Sequence, residues 1–101
     1  MAFGELLRKL RRTTGLGIKR LAPDLGVNYT YLSKLENNQT SPSEQLVGRV
    51  ADYFGYDRNQ LLLSAGKVPP EILEILRKNP DDAIDLLRRH FGRERVKQSK
   101  R

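Results

Sequence analysis

Asn28, Tyr29, Thr30, Ser33 and Lys34 lie within seven residues of one another. At 3.6 residues per turn they share one side of a helix whose other side carries Leu32 and Leu35. Amides, hydroxyls and an ammonium in that pattern can donate and accept hydrogen bonds but cannot break a covalent bond unaided. A face that merely meets water is usually built from Glu, Lys, Gln and Ala, because only helix propensity acts on it. This one gives up propensity for groups that can recognise a patterned surface, and the bland alternative is a solvated face. Bond-making chemistry has little to work with. His90 is the sole histidine and stands beside Arg88 and Arg89. Glu71 with Glu74, and Asp82 with Asp85, fall one turn apart, as helix-start charges do. There is no phosphate-binding glycine loop, nucleophile pair or metal-ligand cluster, so the expectation is a non-enzyme without cofactor or metal.

The elements that position the polar face follow from periodicity and capping. A first helix is predicted over Phe3 to Thr13, with Phe3, Leu6, Leu7 and Leu10 inward and Arg8, Lys9, Arg11 and Arg12 mostly outward, stopped by Gly15. A short helix over Ile18 to Leu25 places Leu21, Ala22 and Leu25 at core spacing. Pro23 should tighten its last turn. Asn28 can cap the helix from Tyr29 to Asn37, and Asn38 suits its left-handed exit. Ser41-Pro42-Ser43-Glu44 starts a fourth helix whichever serine caps; capping by Ser41 would pair with Glu44 and put Pro42 first. That helix carries Leu46, Val47, Val50, Ala51 and Phe54 and ends at Gly55. Asp57 and Gln60 open a fifth through Leu61, Leu62 and Leu63. Beyond Gly66, Ile72, Leu73, Ile75 and Leu76 mark a sixth helix. Asn79-Pro80-Asp81-Asp82 should end it and cap a seventh with Ala83, Ile84, Leu86, Leu87 and Phe91. Two such short helices cannot bury their stripes alone. The tail GRERVKQSKR reads as disordered.

At 101 residues the chain suffices for one modest core plus an appendage. Without cysteine, disulfides and thiolate metal sites are excluded, and a reducing interior is the fitting compartment. Leu61-Leu62-Leu63 is the longest apolar run, too short for a bilayer, so a soluble, cytoplasmic protein with no membrane partner is expected. The net charge is +7 and the isoelectric point about 10.1, a nucleic-acid-binding signature. Residues 1–42 carry seven basic and three acidic side chains, and residues 93–101 carry five and one; the middle of the chain is near balance. A merely solubilising charge gives no reason for that segregation.

Two short helices joined through LGVN, the second polar at its start and anchored by a leucine pair, form a helix-turn-helix pattern. With Leu21-Ala22, LGV at 25–27, YLSKLEN at 31–37, Pro42 and the apolar spacing of 46 to 54, the chain resembles the lambda-repressor and Cro-like (XRE-type) helix-turn-helix transcriptional regulators. The resemblance covers residues 3–64. It implies an all-α fold: a five-helix lambda-repressor-like DNA-binding domain at 1–65, here followed by a two-helix C-terminal extension at 66–92 and the basic tail at 93–101. It also implies that the third helix enters the major groove of double-stranded DNA. Carried over by position, base contacts fall to Asn28, Tyr29, Thr30, Ser33 and Lys34. Lys34 suits guanine O6 and N7, Thr30 a base edge or thymine methyl, and Asn28 adenine if capping leaves it free. Phosphate contacts fall to Lys19, Tyr31, Asn37, Gln39 and Thr40. Arg11 and Glu36 match a structural salt bridge between the first and third helices. The family usually has Ser or Thr and then Gln where Gly17 and Ile18 stand, and Ile18 cannot bond a phosphate.

The expected function is therefore a sequence-specific DNA-binding regulator, a repressor acting as a homodimer on a two-fold operator. Ile72, Leu73, Leu76, Ile84, Leu87 and Phe91 are the expected dimerisation surface, with Leu61 to Leu63 as a second candidate. The alternative is a protein-interaction module, antitoxin-like or a co-activator adaptor, in which those C-terminal helices bind a different protein partner.

Overall fold

A computed structural model describes residues 1–92; the basic tail expected at 93–101 lies outside the described residues. They form seven helices and no strand: α1 Phe3–Thr14, α2 Ile18–Asp24, α3 Tyr29–Glu36, α4 Glu44–Phe54, α5 Arg58–Ser64, α6 Pro70–Lys78 and α7 Pro80–Phe91. The chain divides into two compact units, Met1–Val68 and Pro69–Arg101. No helix among the described residues is long and apolar enough to cross a membrane.

In the first unit, one apolar face from each of α1 to α5 converges on a single core. Leu7, Leu21, Leu32, Val47, Val50 and Leu61 are wholly buried there. Seven-residue helices such as α2 and α5 are too short to persist alone in water, so burial of these leucines is what holds them. Asp57 caps α5 by accepting from Asn59 N–H at 3.0 Å. Pro23 sits within α2 and tightens its end: Leu25 N–H is shared between Leu21 and Ala22 carbonyls at 3.1 Å each, and Gly26 N–H reaches Pro23 O at 3.0 Å.

Of the two serines before α4, Ser43 is the cap, its hydroxyl accepting from Leu46 N–H at 3.1 Å, and the buried Pro42 precedes the helix. Two local expectations need correction. Asn79 does not cap α7 with its side chain; its Nδ2 donates at 3.0 Å to Ile75 O and so closes the end of α6 instead. Leu61 and Leu62 are core residues, which leaves only Leu63 of that trio exposed.

In the second unit α6 and α7 pack on each other, yet neither has a buried residue. Both are amphipathic, with Glu71, Asp81 and Asp82 in their first turns and Arg77, Lys78, Arg88 and Arg89 in their last, favourable for each helix dipole.

Candidate nucleic-acid interface

Because Leu32 and Leu35 anchor α3 in the core, the opposite side of that helix must face outward. Asn28, Tyr29, Thr30 and Lys34 are exposed, and Ser33 is half-buried. Tyr29 is 51% exposed, and Lys19, from the first turn of α2, holds its ammonium 5.2 Å from the ring centroid, a cation–π contact across the two helices. Ile18 is half-buried and packs on the core, so the position where a phosphate-binding side chain is usual serves packing here. Tyr31 is also half-buried against the core. Gln39 is exposed and Thr40 half-buried in the turn after α3.

Two of the predicted contact residues are partly committed elsewhere. Asn28 Oδ1 accepts from Tyr31 N–H at 2.8 Å as the α3 cap, leaving only its NH2 to donate. Paired donor-and-acceptor recognition of adenine would need that cap broken. Asn37 Oδ1 accepts from Arg8 at 2.6 Å.

The far end of α3 is tied to α1 through a buried carboxylate. Glu36 is 2% exposed and accepts from Arg11 Nε at 2.6 Å, Arg11 Nη2 at 2.9 Å and Arg8 Nε at 3.3 Å. Arg11 also donates to Leu16 O at 3.0 Å, and its bond to Glu36 raises its pKa from the ordinary arginine value. Arg8 and Arg11 thus turn toward α3 rather than outward, since a buried carboxylate must be paired. Alongside, Asn38 Oδ1 accepts from Gly4 N–H at 3.0 Å. Asn38 has φ 58°, the left-handed exit from α3. A Cβ on Gly4 would run into the carbonyls of Leu35 and Glu36, so a glycine here lets α1 lie directly on the end of α3.

The turn between α2 and α3 is held from α4. Arg49 Nη1 donates to Leu25 O at 2.9 Å, and Tyr53, one turn further along α4, donates its hydroxyl to Asp24 Oδ2 at 2.9 Å. That bond raises the Tyr53 pKa from its ordinary value. Gly26, at φ 75°, makes the turn directly beneath Arg49. Sequence reasoning missed Arg8, Arg49 and the Asn38–Gly4 bond. Only Arg8 carried a usable signal, three residues before Arg11 and therefore on the same face of α1.

No group of three or more His, Cys, Asp or Glu among the described residues could hold a metal ion. His90 is exposed. The arrangement offers a rigid helix with an exposed donor-rich face, cations at its flanks and its ends fixed by α1, α2 and α4.

A family model described as a helix-turn-helix domain matches residues 4–67. The HTH-type transcriptional regulator DdrOP3 of Deinococcus deserti is 30% identical over 84 residues, covering 75% of this chain and 65% of that protein. The ImmF control region 10 kDa protein of Bacillus phage phi105 is 32% identical over 69 residues, covering 68% of this chain and 77% of that protein. Among solved structures, the clp gene regulator ClgR from Corynebacterium glutamicum superposes with TM-score 0.55 at 25% identity, covering 88% of this chain and 89% of that one. The SinR protein/SinI protein complex matches with TM-score 0.55 at 24% identity over 96% of this chain and 98% of that one, a likeness of fold.

Proposed function

The chain belongs to the helix-turn-helix domain family, and on that premise we propose that it is a sequence-specific DNA-binding transcriptional repressor that works as a homodimer. The observation that carries the proposal is the exposed face of α3, where Tyr29, Thr30 and Lys34 stand outward from a helix pinned by Leu32 and Leu35. In the major groove Lys34 would donate to guanine, Thr30 would meet a base edge or methyl group, and Asn28 would offer only its NH2. Lys19, Tyr31, Asn37, Gln39 and Thr40 would hold the phosphates. Two copies on a two-fold operator would place their third helices ~34 Å apart.

The dimer surface we assign is the apolar side of the unit at 66–92: Ile72, Leu73, Leu76, Ile84, Leu87 and Phe91. All are exposed except the half-buried Leu76, and Phe91 is 83% exposed. The same exposure supports a second proposal, that these helices bind a different protein.

Selection of bound sequences from a random duplex library tests the first proposal, run beside a Tyr29→Ala, Lys34→Ala double variant. A two-fold motif that the double variant loses is the expected result. Binding without any motif that vanishes as salt rises would refute sequence-specific recognition. Light scattering on Leu87→Asp is expected to show loss of the dimer; an unchanged mass would refute the assigned surface, and a wild-type monomer would favour a different protein partner.

A further inference from the structure

We propose that Arg8 is a positioning residue for DNA binding, acting through Asn37, an inference that rests on the DNA-binding function proposed above. Its guanidinium reaches two acceptors on α3's end at once: Nε donates to the buried Glu36 Oε1 at 3.3 Å and Nη2 donates to Asn37 Oδ1 at 2.6 Å. An arginine has only donors, so the atom of Asn37 that it takes must be the amide oxygen. The group left over on this exposed residue is the NH2, two donors with no acceptor, the polarity that a phosphate oxygen requires. Unheld, an exposed amide samples both orientations, and ordering it on a phosphate costs part of what the bond contributes. Arg8 removes that choice. Glu36 in turn anchors Arg8, because the carboxylate is buried and fixed from the other side by Arg11. The chain Arg11–Glu36–Arg8–Asn37 therefore runs from the interior to the surface and ends in a fixed donor.

The test is fluorescence anisotropy of a labelled duplex of the selected sequence and of a scrambled duplex, at one salt concentration, with thermal unfolding of every variant. Arg8→Lys keeps the charge but not the two-pronged grip. We expect Arg8→Lys and Asn37→Ala each to weaken both duplexes on the order of tenfold, about one charge-assisted hydrogen bond. The double variant should be no weaker than Asn37→Ala alone. Asn37→Asp still accepts from Arg8 yet offers phosphate no donor and adds a repelling charge, so it should bind more poorly than Asn37→Ala. A purely structural role would instead lower the unfolding temperature of Arg8→Lys and Asn37→Ala and leave their binding intact.

Arg8→Lys binding as wild type does, or losses that add in the double variant, would overturn the inference. So would an Asn37→Ala chain that binds as well as wild type. A wild type that binds neither duplex overturns the DNA-binding proposal and this inference with it, an outcome distinct from the other three.

Discussion

Replacing Arg11 by Met removes the two shorter of the three bonds that satisfy Glu36, at 2.6 and 2.9 Å, and leaves the carboxylate with Arg8 at 3.3 Å. The Glu36 side chain is only 1% exposed, so water cannot easily replace the lost donors. Breaking one partner of a buried pair costs about 3–5 kcal/mol. Arg8 keeps part of the compensation, which places the expected loss at ~2–3 kcal/mol. The unit Met1–Val68 has a total stability of roughly 3–10 kcal/mol at the usual value per residue. The variant should therefore melt about 8–24 °C lower, at 4–8 °C per kcal/mol for a domain of this size. Circular dichroism during heating, with a urea titration alongside, measures it. A companion Arg11→Met, Glu36→Leu chain separates two causes. If the damage is the stranded charge rather than lost packing, removing the carboxylate should recover much of the loss, since Arg8 is 37% exposed and can turn to water. An Arg11→Met melting point within about 4 °C of wild type would refute this account. A double variant no more stable than the single one would refute the assignment to charge.

Gly4→Ala should destabilise by about 1–3 kcal/mol, because its methyl group meets backbone oxygens of Leu35 and Glu36 that cannot rotate away; an unchanged urea midpoint would contradict it. Asn28→Ala should cost ~0.5–2 kcal/mol through the lost cap, and Asn28→Ser should restore most of that stability in the same titration. Tyr53 has a raised folded-state pKa through its bond to Asp24, so its contribution to stability is present below the ordinary tyrosine value and is lost as pH rises through the folded one. Tyr53→Phe should abolish that alkaline decline, and spectroscopic titration should show one late-ionising tyrosine fewer; an unaltered profile would rule the bond out as its cause.

The helix order, the leucine anchors of α3 and its outward face were legible from the chain, because 3.6-residue periodicity and capping are local signals. Arg11 and Glu36 drew notice only through family resemblance, as nothing local marks a carboxylate that will be buried 25 residues away. Arg49's bond to Leu25 O spans 24 residues and involves a carbonyl, which every residue has. No residue type could have announced it. The two serines before α4 offered equivalent caps, and the burial of Pro42 decided between them. Asn79 faced a similar choice between two helix ends, and its Nδ2 joins its own backbone N–H on the carbonyl of Ile75.

The place of Arg49 above Gly26 bears on how this turn could change in an engineered library. A Cβ at position 26 would sit 2.6 Å from Arg49 Nη1, so any larger residue must shift the end of that side chain as well as adopt the left-handed backbone. The two positions, 23 apart in sequence, are therefore coupled. Randomising position 26 alone should favour glycine, with asparagine next. Randomising 26 and 49 together should raise the share of asparagine at 26, in company with a short side chain at 49.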